Sequence, residues 1–326
     1  MTHSAVPPPV TAVMEAASAW LPERMAEVEQ RLSQVAAGHG GPLGEEAKAT
    51  LAAGGKRLRP LLVLMVAGDA LPERAVRAAA ATELLHMATL VHDDIIDGAP
   101  VRRGRPTVVA RAGRARALGV GDLLLSRAFA ELAADGGEAE VAELSSASVA
   151  LALGELAQRR DAYDTSISEE RYLERCSLKT ARLFEAACRV GRLASGERGT
   201  EELAGFGRQI GLAFQLLDDV LDVTGPPERT GKARGTDLLD GTVTLPLILA
   251  RRADPEIAAA ELRGLDAGGA ERLCDRIAAS GVLDEVRARA RAGISRAKDI
   301  LDADAFSGEE RRLLALIADG LVERYS

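Results

Sequence analysis

Apolar side chains recur at the three- and four-residue spacing of an α-helix along almost the whole of this 326-residue chain. From about Thr11 onward the helical segments are long. The breaks between them carry Gly, Pro, Asp or Ser, as at Gly38–Gly44, Ala70–Pro72, Gly98–Pro106, Asp164–Ser168 and Thr224–Gly241. Pro72-Glu73 and Ser168-Glu169 have the form of helix starts, with acid in the first turn. No alternating strand of useful length stands out. The LPLILA run from Leu245 has a strand-like composition by itself, but its alanine, leucine and flanking pattern predict a buried helix. Apolar residues make up 47% of the chain and aromatics only 3%, and alanine is abundant, which favours closely packed helices over sheet. No break is rich enough in linker residues to divide the chain. The expected architecture is all-α, a bundle of long, mostly antiparallel helices in one domain over residues 11–326, after a disordered tail at 1–10.

The net charge of −8 gives no basis for nucleic-acid binding, whereas an acidic chain with local basic clusters suits a small anionic substrate. Cys176, Cys188 and Cys274 are few, far apart and without a CxxC pattern. A disulfide framework and a structural zinc are both disfavoured, and a reduced, cytosolic setting is expected. Met1 to Trp20 lacks a basic start and carries Pro7-Pro8-Pro9 and Glu15, so it does not read as a signal peptide. Apolar runs such as LLVLMVAG from Leu61 are too short to cross a bilayer.

Two stretches conflict with a plain apolar core. In TLVHDDIIDGAPVRRGRPT, Asp93, Asp94 and Asp97 sit among Leu90, Val91, Ile95 and Ile96; in AFQLLDDVLDVTG, Asp218, Asp219 and Asp222 repeat the same DDxxD spacing. On a helix the first and last acids of each cluster share a face and the middle one is offset. Both clusters fall where long helices end, against the negative end of the helix dipole, which makes unneutralised carboxylates costly. A solvated helix end would account for one such cluster; two copies, both in apolar helices, favour facing metal sites. Oxygen-only donors select a hard ion, Mg²⁺ or Mn²⁺. Glu83 and His86 also fit the Glu-x-x-His spacing of di-iron bundles, but no second such pair exists among His3, His39 and His92.

Basic groups are distributed to match. GGKRLRP places Lys56, Arg57 and Arg59 beside a diglycine, Arg102 and Arg103 follow the first acidic cluster, Lys179-Thr180 interrupts an apolar helix, and Lys232 follows Gly231. Each is more often surface than site when read alone. Together with two metal clusters they suggest two diphosphates in one cavity.

In order and spacing, GGKRLRP, ELLHMATLVHDDIIDGAPVRRGRPT, GDLLLSRA, GELAQ, KTARLFEAA, FQLLDDVLDVTG and GKARGTDLLDGTVTLPL resemble the trans-isoprenyl diphosphate synthases, the polyprenyl synthetase family, of long-chain type. The resemblance implies helices around a deep central cavity, a homodimer, and head-to-tail transfer of an allylic group onto isopentenyl diphosphate. It also implies Mg²⁺, or Mn²⁺, with three ions present when substrate is bound. Carried over, Asp93, Asp97 and Asp218 are the metal ligands, with Asp94, Asp219 and Asp222 in support. Lys56, Arg59, His86 and Arg103 correspond to the isopentenyl diphosphate site. Arg102, Lys179, Thr180, Gln215 and Lys232 correspond to the allylic site. Without the resemblance, His86 and Gln215 would read as satisfied core residues. Thr242 departs from the pattern, since the family often has lysine after DLLDG, and weaker allylic binding is the expected consequence.

Ala88 and Thr89, one turn before Asp93, should line the space beneath the reacting carbon. Both are small, and the first cluster lacks the two-residue insertion of bacterial farnesyl-type enzymes. A product longer than geranylgeranyl is therefore expected, with the floor lower down at Leu85 or near Leu125 and Phe129; a short-chain synthase is the alternative. A class I terpene cyclase would carry an Asn/Ser/Glu triad in place of DDVLD, and regulatory subunits of heteromeric prenyltransferases tend to lose aspartates that are all present here. The reading includes a cytoplasmic enzyme with no membrane span and transient membrane contact for product release.

Overall fold

The computed structural model describes residues 8–68, 71–134, 136–197, 201–225, 234–303 and 306–325. Helices come first in chain order as α1 (Pro8–Ala16), α2 (Leu21–Ala37), α3 (Gly41–Ala52), α4 (Leu58–Ala67) and α5 (Pro72–Asp97). A two-stranded ribbon, β1 (Val101–Arg102) and β2 (Arg105–Pro106), leads to α6 (Val108–Ala112), α7 (Arg114–Ala133) and α8 (Glu138–Arg160). Next come α9 (Glu169–Cys176) and α10 (Arg182–Ala194), joined by one π-helical turn at Ser177–Ala181, and then α11 (Glu201–Thr224). The chain closes with α12 (Thr236–Leu239), α13 (Leu245–Ala253), α14 (Pro255–Ala259), α15 (Ala267–Ala279), α16 (Val282–Ile300) and α17 (Gly308–Tyr325). The fold is all-α, as expected, and LPLILA is a buried helix at the start of α13. Pro8–Val10, assigned to the tail, form the first turn of α1 instead, where proline is compatible with the helix because its missing N–H has no intrahelical partner. The rest of that tail lies outside the described residues.

The long helix α5 is buried around its whole circumference through Ala78–Leu85, as a helix at the centre of a bundle must be. Its alanines let α4, α7 and α10 approach closely. Helix α11 packs on α10 and α16, and α8 packs on α7, α10 and the π turn. One contiguous apolar core results. Among the described residues no helix is long and apolar enough to cross a membrane.

Local chemistry sets the ends that matter. Helix α5 stops at Gly98, whose φ of +62° is the left-handed C-cap that favours glycine. Ser168 caps α9, its hydroxyl accepting from the Arg171 amide at 3.2 Å. In the ribbon, Arg103 and Gly104 both have positive φ, 52° and 72°, which is the two-residue turn of a tight hairpin. That turn folds Arg102 and Arg103 back over the end of α5.

Candidate active site

A cavity of about 780 Å³ opens among α5, α7, α8, α9, the π turn, α11 and the segment 236–244. Asp93 and Asp97 from α5 and Asp218 and Asp219 from α11 all line it, so the two clusters meet in one chamber. Burial pushes the Asp93 carboxyl up to about 6; Lys179 and Arg102 pull it down, and Glu155 and Asp94 push it further up. Burial also pushes Asp219 up, and Asp237 and Asp218 add to the effect.

Several predicted residues reach the cavity through partners the sequence did not suggest. The offset acid, Asp94, turns from the cavity and accepts from Arg102 Nε at 2.6 Å. Asp97 pairs with Arg159, and Lys179 with Glu155, so one turn of α8 supplies counter-charges to both sides of the site. Thr180 donates to Gln215 Oε1 at 2.7 Å, Gln215 Nε2 donates to Asp219 Oδ1 at 2.7 Å, and the Tyr172 hydroxyl donates to Asp219 Oδ2. Gln215 is thus committed at both ends and orients Asp219. Asp222 does not line the cavity; its carboxylate accepts from the Asp237 amide at 3.3 Å and its carbonyl from the Gly235 amide at 3.0 Å, pinning the segment that brings Asp237 and Asp240 to the cavity. Lys232 lies outside the described residues.

The second group of basic residues assembles around His86. Arg59 and His86 line the cavity, whereas Lys56 and Arg103 do not. Arg57 is consumed by Glu83, at 2.6 Å, and Glu29, at 2.5 Å. Arg103 donates to the Gly54 carbonyl, and a Cβ on Gly55 would stand 2.9 Å from its Nη1, so the diglycine is what admits the guanidinium. Burial, then Arg59, Arg103, Arg102 and Arg57, hold the His86 imidazole well below its usual pKa and therefore neutral. Burial likewise lowers Arg59 to about 10, and its Nε is buried without a hydrogen-bond partner. A neutral imidazole ringed by arginines, one with an unsatisfied donor, has the chemistry to receive an anion. Glu83 is spent on Arg57 and His86 faces cations, so the Glu-x-x-His pair is not available as di-iron ligands.

Charged lining residues that sequence reasoning passed over are Arg114, Asp122, Glu155, Arg159, Arg175, Asp237 and Asp240. Most lie in or beside the quoted GDLLLSRA, GELAQ and DLLDG segments, which was the available signal. Below the charges the wall is apolar, with Ala88 and Leu90 of α5, Leu118 and Leu125 of α7, Leu151 of α8, Leu183 and Phe214. The lining includes Leu125 but not Leu85, which is fully buried in the core, nor Phe129, which packs against it.

The π turn is held by glycines. A Cβ on Gly154 would meet the Lys179 amide nitrogen at 2.6 Å, and one on Gly211 would meet Ala181 Cα at 2.6 Å. Helices α8 and α11 thus clamp the turn from two sides, and both Lys179 and Thr180 point into the cavity. The donor set at this end consists of carboxylate oxygens, and Asp93 is held above its ordinary range; both fit a hard divalent cation. Among the described residues no three potential ligand side chains are already gathered on one point.

An all-helical cavity with facing carboxylate clusters, a separate arginine-rich cluster and an apolar wall defines the class of enzymes that transfer prenyl groups between diphosphates. The polyprenyl synthetase profile matches residues 42–271, and the chain belongs to that family. It is 42% identical over 241 residues to heptaprenyl diphosphate synthase component 2 of Geobacillus stearothermophilus, covering 73% of this chain and 75% of that protein. Against octaprenyl diphosphate synthase of Escherichia coli the identity is 37% over 250 residues, covering 73% and 76%. The structure of heptaprenyl diphosphate synthase from Staphylococcus aureus aligns with a TM-score of 0.86 at 31% identity over 94% of this chain and 98% of that one. A polyprenyl synthase from Caulobacter crescentus, complexed with calcium and isoprenyl diphosphate, aligns with a TM-score of 0.85 at 33% identity, covering 97% and 98%. The chain is a prenyltransferase.

Proposed function

We propose that the chain condenses isopentenyl diphosphate head-to-tail with geranyl, farnesyl or geranylgeranyl diphosphate, giving an all-trans polyprenyl diphosphate longer than geranylgeranyl. The observation that carries this is the joint lining of one cavity by both aspartate clusters, the cations around His86 and the apolar wall. Asp93, Asp97 and Asp218 would hold Mg²⁺, in the three-ion arrangement the family resemblance suggests. Bound Mg²⁺ supplies charge neutralisation to the departing diphosphate. Lys179, with Arg102 and Lys232, binds the allylic diphosphate, and Thr180 and Gln215 fix Asp219 beside it. Arg59 and His86, together with Arg103 and Lys56, bind isopentenyl diphosphate; the neutral imidazole donates a hydrogen bond without repelling the arginines. Leu118, Leu151, Leu183 and Phe214 keep water from the allylic cation while the double bond of isopentenyl diphosphate attacks it and a proton is lost.

Long products are supported by the depth of the wall. Lining residues on α8 run from Ser148 to Arg159, a rise of about 16 Å, and no bulky side chain stands at Ala88 or Thr89. A homodimer is supported by Val149 and Leu153, which are 58% and 52% exposed at i and i+4 on one face of α8 and lie outside the cavity lining. A cytoplasmic enzyme that touches a membrane only to release its apolar product completes the reading.

The test is incubation of the purified chain with Mg²⁺, isopentenyl diphosphate and farnesyl diphosphate, followed by mass spectrometry. Polyprenyl diphosphates longer than geranylgeranyl are expected. Products capped at geranylgeranyl would favour a short-chain synthase, and turnover without isopentenyl diphosphate would favour a cyclase. A second reading rests on the relative named as one component of a heptaprenyl synthase: the same chemistry with a required partner subunit, which inactivity of the pure chain alone would favour.

A further inference from the structure

Arg175 is a buried cation in the cavity wall that the reading above leaves without a role. It lies in the last turn of α9, is 3% exposed, and shares the lining face of α9 and the π turn with Tyr172, Cys176, Lys179 and Thr180. Its Nη2 donates to the Val243 carbonyl at 2.5 Å, and its guanidinium lies 5.7 Å from the centre of the Tyr172 ring. The nearest acid is Asp161, whose Oδ2 is 3.7 Å from Arg175 Nη1, too far for a hydrogen bond. That carboxylate already accepts from Arg171 Nε at 3.0 Å and Nη2 at 3.3 Å, and Arg160 Nε stands 3.6 Å away. Asp161 therefore does not need a further cation, and Arg175 Nη1 is buried with no hydrogen-bond partner. A buried cationic donor left unbonded is costly, and an anion entering from the cavity removes the cost. The backbone it grips lies between Thr242 and Thr244, both of which line the cavity.

We propose that Arg175 is a binding residue for the allylic diphosphate, supplying beside Thr242 the positive charge that the family often provides with a lysine at that position. The proposal rests on the prenyltransferase reading, and places a third described cation at this subsite with Lys179 and Arg102. The probe is a non-ionising thio analogue of farnesyl diphosphate, titrated calorimetrically with Mg²⁺ into the full chain, together with KM values for both substrates. Arg175→Gln retains a donor for the Val243 carbonyl and loses the charge. It should weaken analogue binding about tenfold, the size of one charge-assisted hydrogen bond, and leave the isopentenyl diphosphate KM within about twofold. Adding Thr242→Lys to that variant should restore the affinity. Thr242→Lys in the native background should gain less than about twofold, because the charge is already supplied; a tenfold gain there would overturn the proposal even if Arg175→Gln failed to fold. Unchanged analogue binding in folded Arg175→Gln, or equal loss for both substrates without rescue by Thr242→Lys, would also overturn it. A native chain that neither binds the analogue nor transfers prenyl groups would instead sink the underlying function.

Discussion

A helical wheel gives the face a side chain occupies but not the partner it meets, and that difference separates the correctly placed aspartates from the others. The offset of Asp94 from Asp93 and Asp97 was legible; its pairing with Arg102 required the hairpin at Arg103-Gly104 to fold back. Gln215 and Asp222 stand in the right motif, yet one orients Asp219 and the other pins the segment after α11. His86 carries a prediction at this scale. Folded, it is neutral, held well below the ordinary histidine value of about 6.5 by burial and by Arg59, Arg103, Arg102 and Arg57. Unfolded, it takes up a proton near that value. The unfolded state thus binds more protons as pH falls below about 6.5, and stability declines with falling pH. The urea midpoint should therefore drop between pH 7.5 and 5.5 by less in His86→Gln than in the native protein; identical drops would mean that His86 is not held neutral.

Among the elements, the π turn was the least visible in advance. SLKTA has no local signature for it, because its geometry is set by the helices that clamp it at Gly154 and Gly211. Gly211→Ala would force a Cβ to within 2.6 Å of Ala181 Cα. Overpacking of this kind costs about 1–3 kcal/mol, so the variant should have a clearly lower unfolding free energy in urea, and an unchanged value would show that α11 can yield. The placement of Ala88 and Thr89 was legible from the tilt of helical side chains, and both do line the cavity. Ala88 lines the cavity one helical turn before Asp93, so Ala88→Phe should shorten the longest product detected by mass spectrometry. An unaltered product ladder would remove Ala88 from the length-setting wall.

For the whole molecule, the all-α architecture followed from periodicity and punctuation, since long amphipathic segments with Gly- and Pro-rich breaks leave few alternatives to a bundle. The meeting of the two aspartate clusters did not follow from either segment alone. It depends on α5 and α11 ending at the same end of one cavity, a long-range arrangement that no local pattern encodes. The exposed stripe on α8 is a property of the same scale. If two copies bury it, Leu153→Glu should convert a dimer to a monomer in sedimentation velocity at micromolar concentration. A native chain that already sediments as a monomer would leave the stripe to a different partner.

The account depends on Asp93 and Asp218 acting on one bound diphosphate, and a double-mutant cycle in binding tests this directly. Mg²⁺-dependent affinity for the thio analogue of farnesyl diphosphate is measured by calorimetry in the native chain, Asp93→Asn, Asp218→Asn and the double variant. Strong coupling is predicted, with either single change removing nearly as much affinity as both together. Losses that simply add would mean two independent carboxylate clusters and would contradict the shared chamber.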